Sequence, residues 1–214
     1  MWTVLVPVVV LLAASAVGPA LANPIIVTTT RQGVTDPRNC SLQEAIHSAN
    51  FHQALAIDST NPDHFYTTGC MPGSGNDIIM VPDGAVLQMT SIEDDAHSPF
   101  GPTATPIVFS NIIIEANGAT LVAAPDAPNM RAFAVGAASI ATPNGVFSGT
   151  GKLTIRNAYI RGFHVKGGDG TYGGGGYLGA GGAIYVDGSL GSGIVELTIE
   201  NCKFRRCRLQ SATH

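Results

Sequence analysis

The segment Leu153-Thr154-Ile155-Arg156-Asn157-Ala158-Tyr159-Ile160-Arg161 returns 44 residues later as Leu197-Thr198-Ile199-Glu200-Asn201-Cys202-Lys203-Phe204-Arg205, identical at five of nine positions. Midway lies a further strand-like run, Gly181-Gly182-Ala183-Ile184-Tyr185-Val186. So short a unit cannot bury its apolar side chains alone and must stack on its neighbours, so the spacing predicts a solenoid with coils of about 22 residues. Within the repeat, Leu153, Ile155, Ala158 and Ile160 alternate with Thr154, Arg156, Tyr159 and Arg161, and Asn157 marks the break in phase. The break reads as a corner. Asn157 and Asn201 are expected to share it two coils apart and to hydrogen-bond along a column.

Composition supports short strands and tight turns over a helical bundle, with only 12% charged residues and 26 glycines. The net charge of −4 carries no basic footprint for nucleic acid, and no nucleic-acid partner is expected. Residues 1–22 read as a secretory signal peptide: Met1 to Val17 holds no charged residue, and Ala20-Leu21-Ala22 offers the cleavage site. The apolar run falls short of the roughly 20 residues that a spanning helix needs. The mature chain would hold 192 residues without a membrane span, placed outside the cell or on its surface. Four cysteines in an exported chain are expected to bridge. Cys40 and Cys70 flank one compact unit and are the favoured pair. Cys202 and Cys207 form the second pair, although Cys202 stands where the repeat has Ala158, and its thiol could simply fill core space.

Ser41 with Glu44 three residues on makes a capping box. Leu42, Ala45, Ile46 and Ala49 line one face of the helix so begun, and Gln43, His47 and Ser48 the other. Such a helix predicts a lid over the exposed end of the solenoid. Ile25–Thr30, Asp77–Val81, Val86–Thr90, Ile107–Phe109, Ile112–Ile114, Thr120–Val122 and Ala132–Val135 read as strands. Residues 53–76 read as a polar loop and 91–106 as a projecting one. The organisation expected is thus 1–22 signal peptide, 23–84 N-terminal capping module and 85–214 coils. The final residues, Arg208 to His214, directly follow a strand without a cap, which predicts further coils in the intact gene product and self-association through the open end.

Two motifs carry a family resemblance. Asn39-Cys40-Ser41-Leu42-Gln43-Glu44-Ala45-Ile46, with Gly69-Cys70 and Asp77-Ile78-Ile79 downstream, resembles the module named for its C-S-L-R-E-A signature, with Gln43 at the eponymous Arg. Gly181-Gly182-Ala183-Ile184 resembles the G-G-A-I element of polymorphic outer-membrane-protein repeats; Phe204-Arg205-Arg206-Cys207 keeps the Phe of the companion F-x-x-N but has Cys207 at the Asn. The resemblance covers Ile25 to Cys207. It implies an all-β protein, a right-handed parallel β-helix with an N-terminal cap, secreted by or displayed on a bacterium, in a family of mostly unestablished activity.

For chemistry, Arg156, Tyr159 and Arg161 with Lys203 and Arg205 form an outward strip able to contact sugars or carboxylates, the plainer reading being a solvated strand face. Glu93-Asp94-Asp95 could hold Ca²⁺, the one cofactor with any candidate ligands, the plainer reading being a surface acidic loop. Gly168–Gly173 fits a dinucleotide pattern on paper, but glycines rather than a helix follow. The six histidines show no metal-ligand spacing, and no catalytic residue is assigned. The function expected is a non-catalytic, exported surface or interaction protein of adhesin type, binding a polysaccharide or cell-surface ligand. The alternative is a carbohydrate-active enzyme, a polysaccharide lyase or glycosidase, acting on an extracellular polysaccharide.

Overall fold

The computed structural model describes residues 24–33, 37–93, 101–166, 182–188 and 193–210. The signal-peptide reading, Asp94, Asp95, Gly168–Gly173, Gly181, His97 and His214 lie outside these residues. In chain order the elements are β1 (Ile25–Ile26), α1 (Leu42–Phe51), β2 (Leu55–Asp58), β3 (Asn61–Thr67), β4 (Asn76–Met80), β5 (Val86–Met89), β6 (Asn111–Glu115), β7 (Thr120–Ala123) and β8 (Phe133–Gly136). There follow β9 (Ala138–Thr142), β10 (Gly145–Gly149), β11 (Lys152–Arg156), β12 (Tyr159–Arg161), β13 (His164–Lys166), β14 (Ile184–Asp187), β15 (Glu196–Glu200), β16 (Lys203–Arg205) and β17 (Arg208–Gln210).

The 44-residue repeat is an in-register parallel pair: Leu153 partners Leu197 and Ile155 partners Ile199. Ile112 and Ile114 partner the same two residues from the other side. The sheet so built has the order β1-β4-β6-β11-β15, and a second has the order β16-β12-β7-β5. Period-two alternation turns Ile25, Ile79, Ile114 and Ile155 inward in one and Leu87, Leu121 and Ile160 in the other, all essentially buried. Their side chains form one continuous core between the sheets.

Neither the solenoid of 22-residue coils expected from the repeat nor the right-handed parallel β-helix implied by the resemblance is the architecture: β11 pairs directly with β15, 44 residues on, and β14, expected between them, pairs with β8 instead. The described strands fall into six sheets of two to five strands, parallel and antiparallel together. Two are antiparallel pairs, β2 with β3 and β9 with β10. The first occupies residues read from sequence as polar loop. Leu55, Ala56, Ile57, Phe65 and Tyr66 face each other across it, and the apolar side packs with Phe51 and Phe109 in a satellite core. Ile107–Phe109 forms only an isolated bridge, Val108 to Val135, instead of a strand.

The capping box at α1 is formed. Ser41 N–H donates to Glu44 Oε2 at 2.8 Å, and Glu44 N–H donates to Ser41 Oγ at 3.2 Å. The polar face of the helix, expected to meet solvent, is buried: all ten residues of α1 are inside. Residues 101–110 cross over that face and bring carbonyls that need donors. Gln43 Nε2 donates to Ala104 O at 3.0 Å, and Asn50 Nδ2 to Ile107 O at 2.7 Å. The opposite side of α1 packs on β1, β4 and β6. Cys40 and Cys70 are joined by a disulfide with Cα atoms 4.8 Å apart. Gly69 lets the chains approach there, since a Cβ at Gly69 would lie 2.5 Å from Asn39 O.

Candidate functional site

The outward faces of β12 and β16 carry the polar side chains that the repeat singles out. Parallel pairing sets Tyr159 against Lys203 and Arg161 against Arg205, with Thr120 and Val122 beneath on β7. Past Arg161 the chain bends at Gly162, where φ is 80°, and continues as β13. One layer on, the same bend falls at Arg206, with φ 55°, before β17. β13 and β17 pair in parallel, so His164 stands against Arg208. Two adjoining two-layer faces therefore meet at the Gly162/Arg206 bend.

A groove of about 870 Å³ runs along this corner. One wall is Tyr159, Arg161, His164, Arg205, Arg206 and Arg208; the other is Ala123, Ala124, Pro125, Ala127, Pro128 and Asn129, from a loop whose exposed Asp126 is not part of the lining. Among the described residues no carboxylate lines it, and none of the four guanidinium groups is in an ion pair. The arginines are exposed, Tyr159 and His164 half-buried. On the other side of Tyr159 a second hollow of about 420 Å³ is lined by Asn117, Asn157, Asn201 and Lys203. Its amides are held in place: Asn201 Nδ2 donates to Asn157 Oδ1, and Asn157 Nδ2 to Glu115 Oε1, both at 2.6 Å. Asn117, Asn157 and Asn201 all take left-handed backbone, at φ 50°, 55° and 50°. Asn is the non-glycine residue best suited to such a corner.

No family model, no curated protein and no solved structure matches this chain.

The strip read from sequence divides. Tyr159, Arg161, Lys203 and Arg205 are brought together on β12 and β16. Arg156 is not with them: it lies on β11, before the Asn157 corner, and its Nε–H donates to Glu200 Oε2 at 2.6 Å. Lys152 makes the equivalent pair with Glu196 at 3.1 Å. Sequence reading missed His164, Arg206 and Arg208. Carrying the 44-residue offset past Arg205 would have found them, since it sets Arg206 on Gly162 and Arg208 on His164.

Cys202 and Cys207 are not bridged. Each takes an inward place just after a bend, and its thiol meets backbone oxygen of the layer below instead of the other cysteine. Cys202 Sγ lies 3.4 Å from Ile155 O and Cys207 Sγ 3.9 Å from Ile160 O. Burial pushes the Cys207 thiol up from its ordinary range, which makes it a poor nucleophile. Glu93 is buried, its carboxylate next to Gly33, and does not project into solvent. No group of three His, Cys, Asp or Glu able to hold a metal occurs among the described residues. No helix among them is long and apolar enough to cross a membrane.

Proposed function

We propose that the protein is a non-catalytic, exported interaction protein that holds an acidic glycan along the β12–β16 face. The observation that carries this reading is the set of unpaired guanidinium groups beside Tyr159 in one groove. Guanidinium grips carboxylate or sulfate with two parallel hydrogen bonds, and the half-exposed phenol ring supplies a flat apolar face for a sugar. The fixed amides of Asn157 and Asn201 would serve hydroxyl groups in the adjoining hollow. The Cys40–Cys70 disulfide supports an oxidising destination. Membership of the C-S-L-R-E-A family belongs to the same proposal, supported by the capping box and disulfide that its signature residues form. We also propose that a second copy pairs along the outer strands β15 and β16, where Ile199 and Phe204 stay 38% and 44% exposed.

The test is a panel of acidic and neutral polysaccharides titrated into the purified mature chain, with unsaturated products and reducing ends followed in parallel. Binding of acidic members alone, weakened by salt and by Arg161→Ala or Arg205→Ala, is the expected result. Turnover abolished by either substitution would make the protein a lyase or glycosidase instead. Absence of binding to every acidic member would remove the reading.

A further inference from the structure

Resting on the glycan-binding reading above, we infer that the corner of the groove is a subsite for a tetrahedral oxyanion ester, a sulfate or phosphate group carried on the sugar chain. The groups that build it come from two faces. Arg161 and Arg205 are register partners in the β12–β16 pair, and His164 and Arg208 are partners in the β13–β17 pair. The bend at Gly162 and Arg206 joins the two faces, and all six residues line the same groove. Cationic groups reaching from two faces enclose a compact anion on several sides. A carboxylate presents two oxygens in one plane, which a single guanidinium engages edge-on, and its remaining lone pairs lie in that same plane. A sulfate or phosphate monoester presents three acceptor oxygens arranged around the central atom, and can engage donors on both faces at once.

Arg206 supplies a second, independent observation. Its backbone is left-handed, at φ 55°, in the position where the layer below has Gly162 at φ 80°. A residue with a Cβ is disfavoured there, and glycine would avoid the strain. An arginine held in unfavourable backbone at the mouth of a cationic groove points to work done by its side chain. The fold does not need it: Arg206 is exposed, and none of the described ion pairs includes it.

The experiment uses one neutral polymer carrying different charges. Dextran sulfate, phosphorylated dextran, carboxymethyl dextran of equal charge density and plain dextran are titrated into the full mature chain at fixed ionic strength. The sulfated or the phosphorylated polymer, whichever fits the corner, is expected to bind at least about tenfold more tightly than the carboxymethyl polymer. Arg206→Gly restores the backbone preference of the bend, so it is expected to fold with undiminished thermal stability and yet lose roughly tenfold in affinity for the ester polymer. Arg208→Ala is expected to do the same from the other face, while Arg31→Ala, on an exposed segment outside the groove, leaves affinity unchanged. Equal affinity for carboxymethyl and ester polymers, or an ester preference untouched by Arg206→Gly and Arg208→Ala, overturns the subsite while leaving glycan binding to the polysaccharide panel. Failure of all three charged dextrans to bind also overturns it, and that panel then judges the broader reading separately.

Discussion

Asn157 occupies left-handed backbone at φ 55° and is bonded both ways along its column, donating to Glu115 Oε1 and accepting from Asn201 Nδ2. Asn157→Ala therefore combines the backbone cost of alanine in that region with loss of an amide that two neighbours use. The expected destabilisation is about 2 kcal/mol, read as a lower urea midpoint. Asn157→Gly relieves the backbone and loses only the hydrogen bonds, so it should cost roughly 1 kcal/mol. If the alanine variant proves no less stable than the glycine variant, the backbone argument fails. At this scale the sequence was legible wherever chemistry is local. The Ser41–Glu44 box joins residues three apart, and the Asn corner follows from a break in alternation. Arg206 was legible only by carrying the 44-residue offset beyond the repeat itself, which sets it on Gly162; its left-handed backbone is what the structure adds.

β11 lies between β6 and β15, and that position sets what its side chains contribute. Leu153 is 1% exposed, covered on one side by Ile112 and on the other by Leu197. Leu197 is the same residue in the repeat, but β15 is the outer strand of its sheet and leaves it half-buried. Leu153→Ala is expected to cost about 3 kcal/mol, as a buried cavity does, and Leu197→Ala less than about 1.5 kcal/mol. Equal losses in chemical denaturation would mean that β15 is covered. That β11 and β15 share one column could be read from the repeat, because identical apolar patterns superpose their inward residues; that they pair directly, with β14 sent to β8, could not. The burial of Gln43 and Asn50 on α1 could not. Their acceptors, Ala104 O and Ile107 O, arrive from 61 and 57 residues away. Local periodicity places a polar side chain on a face; it does not say what later crosses that face. The β2–β3 and β9–β10 pairs escaped for a related reason, since antiparallel pairs inside turn-rich sequence leave no long apolar run.

Across the whole molecule, the Cys40–Cys70 bridge closes a segment of 30 residues that holds α1, β2 and β3. Loop-closure entropy alone gives such a crosslink about 3–4 kcal/mol. The double variant Cys40→Ala/Cys70→Ala should accordingly melt well below the parent and lose the parent's sensitivity to reductant. An unchanged melting temperature would show that the segment is held by packing alone. The outer strands β15 and β16 expose Ile199 and Phe204, and concentration-dependent association in light scattering is the expected consequence. Ile199→Lys with Phe204→Lys should return a monomer; a monodisperse monomer of the unaltered chain at high concentration would dismiss the pairing.

The sequence by itself determined that segments 153–161 and 197–205 share one column, where its Asn corner falls and how the helix begins, because each depends on side chains within a few residues or on a repeat that superposes like on like. Only the tertiary structure decided that the stacked strands divide among six sheets, and that three arginines from two of those sheets, with Arg206 from the bend between them, face one groove. The reason is geometric. Alternation along a strand fixes which way a side chain points, but the angle at which one sheet meets the next is set by the bends at Gly162 and Arg206 and by everything packed behind them.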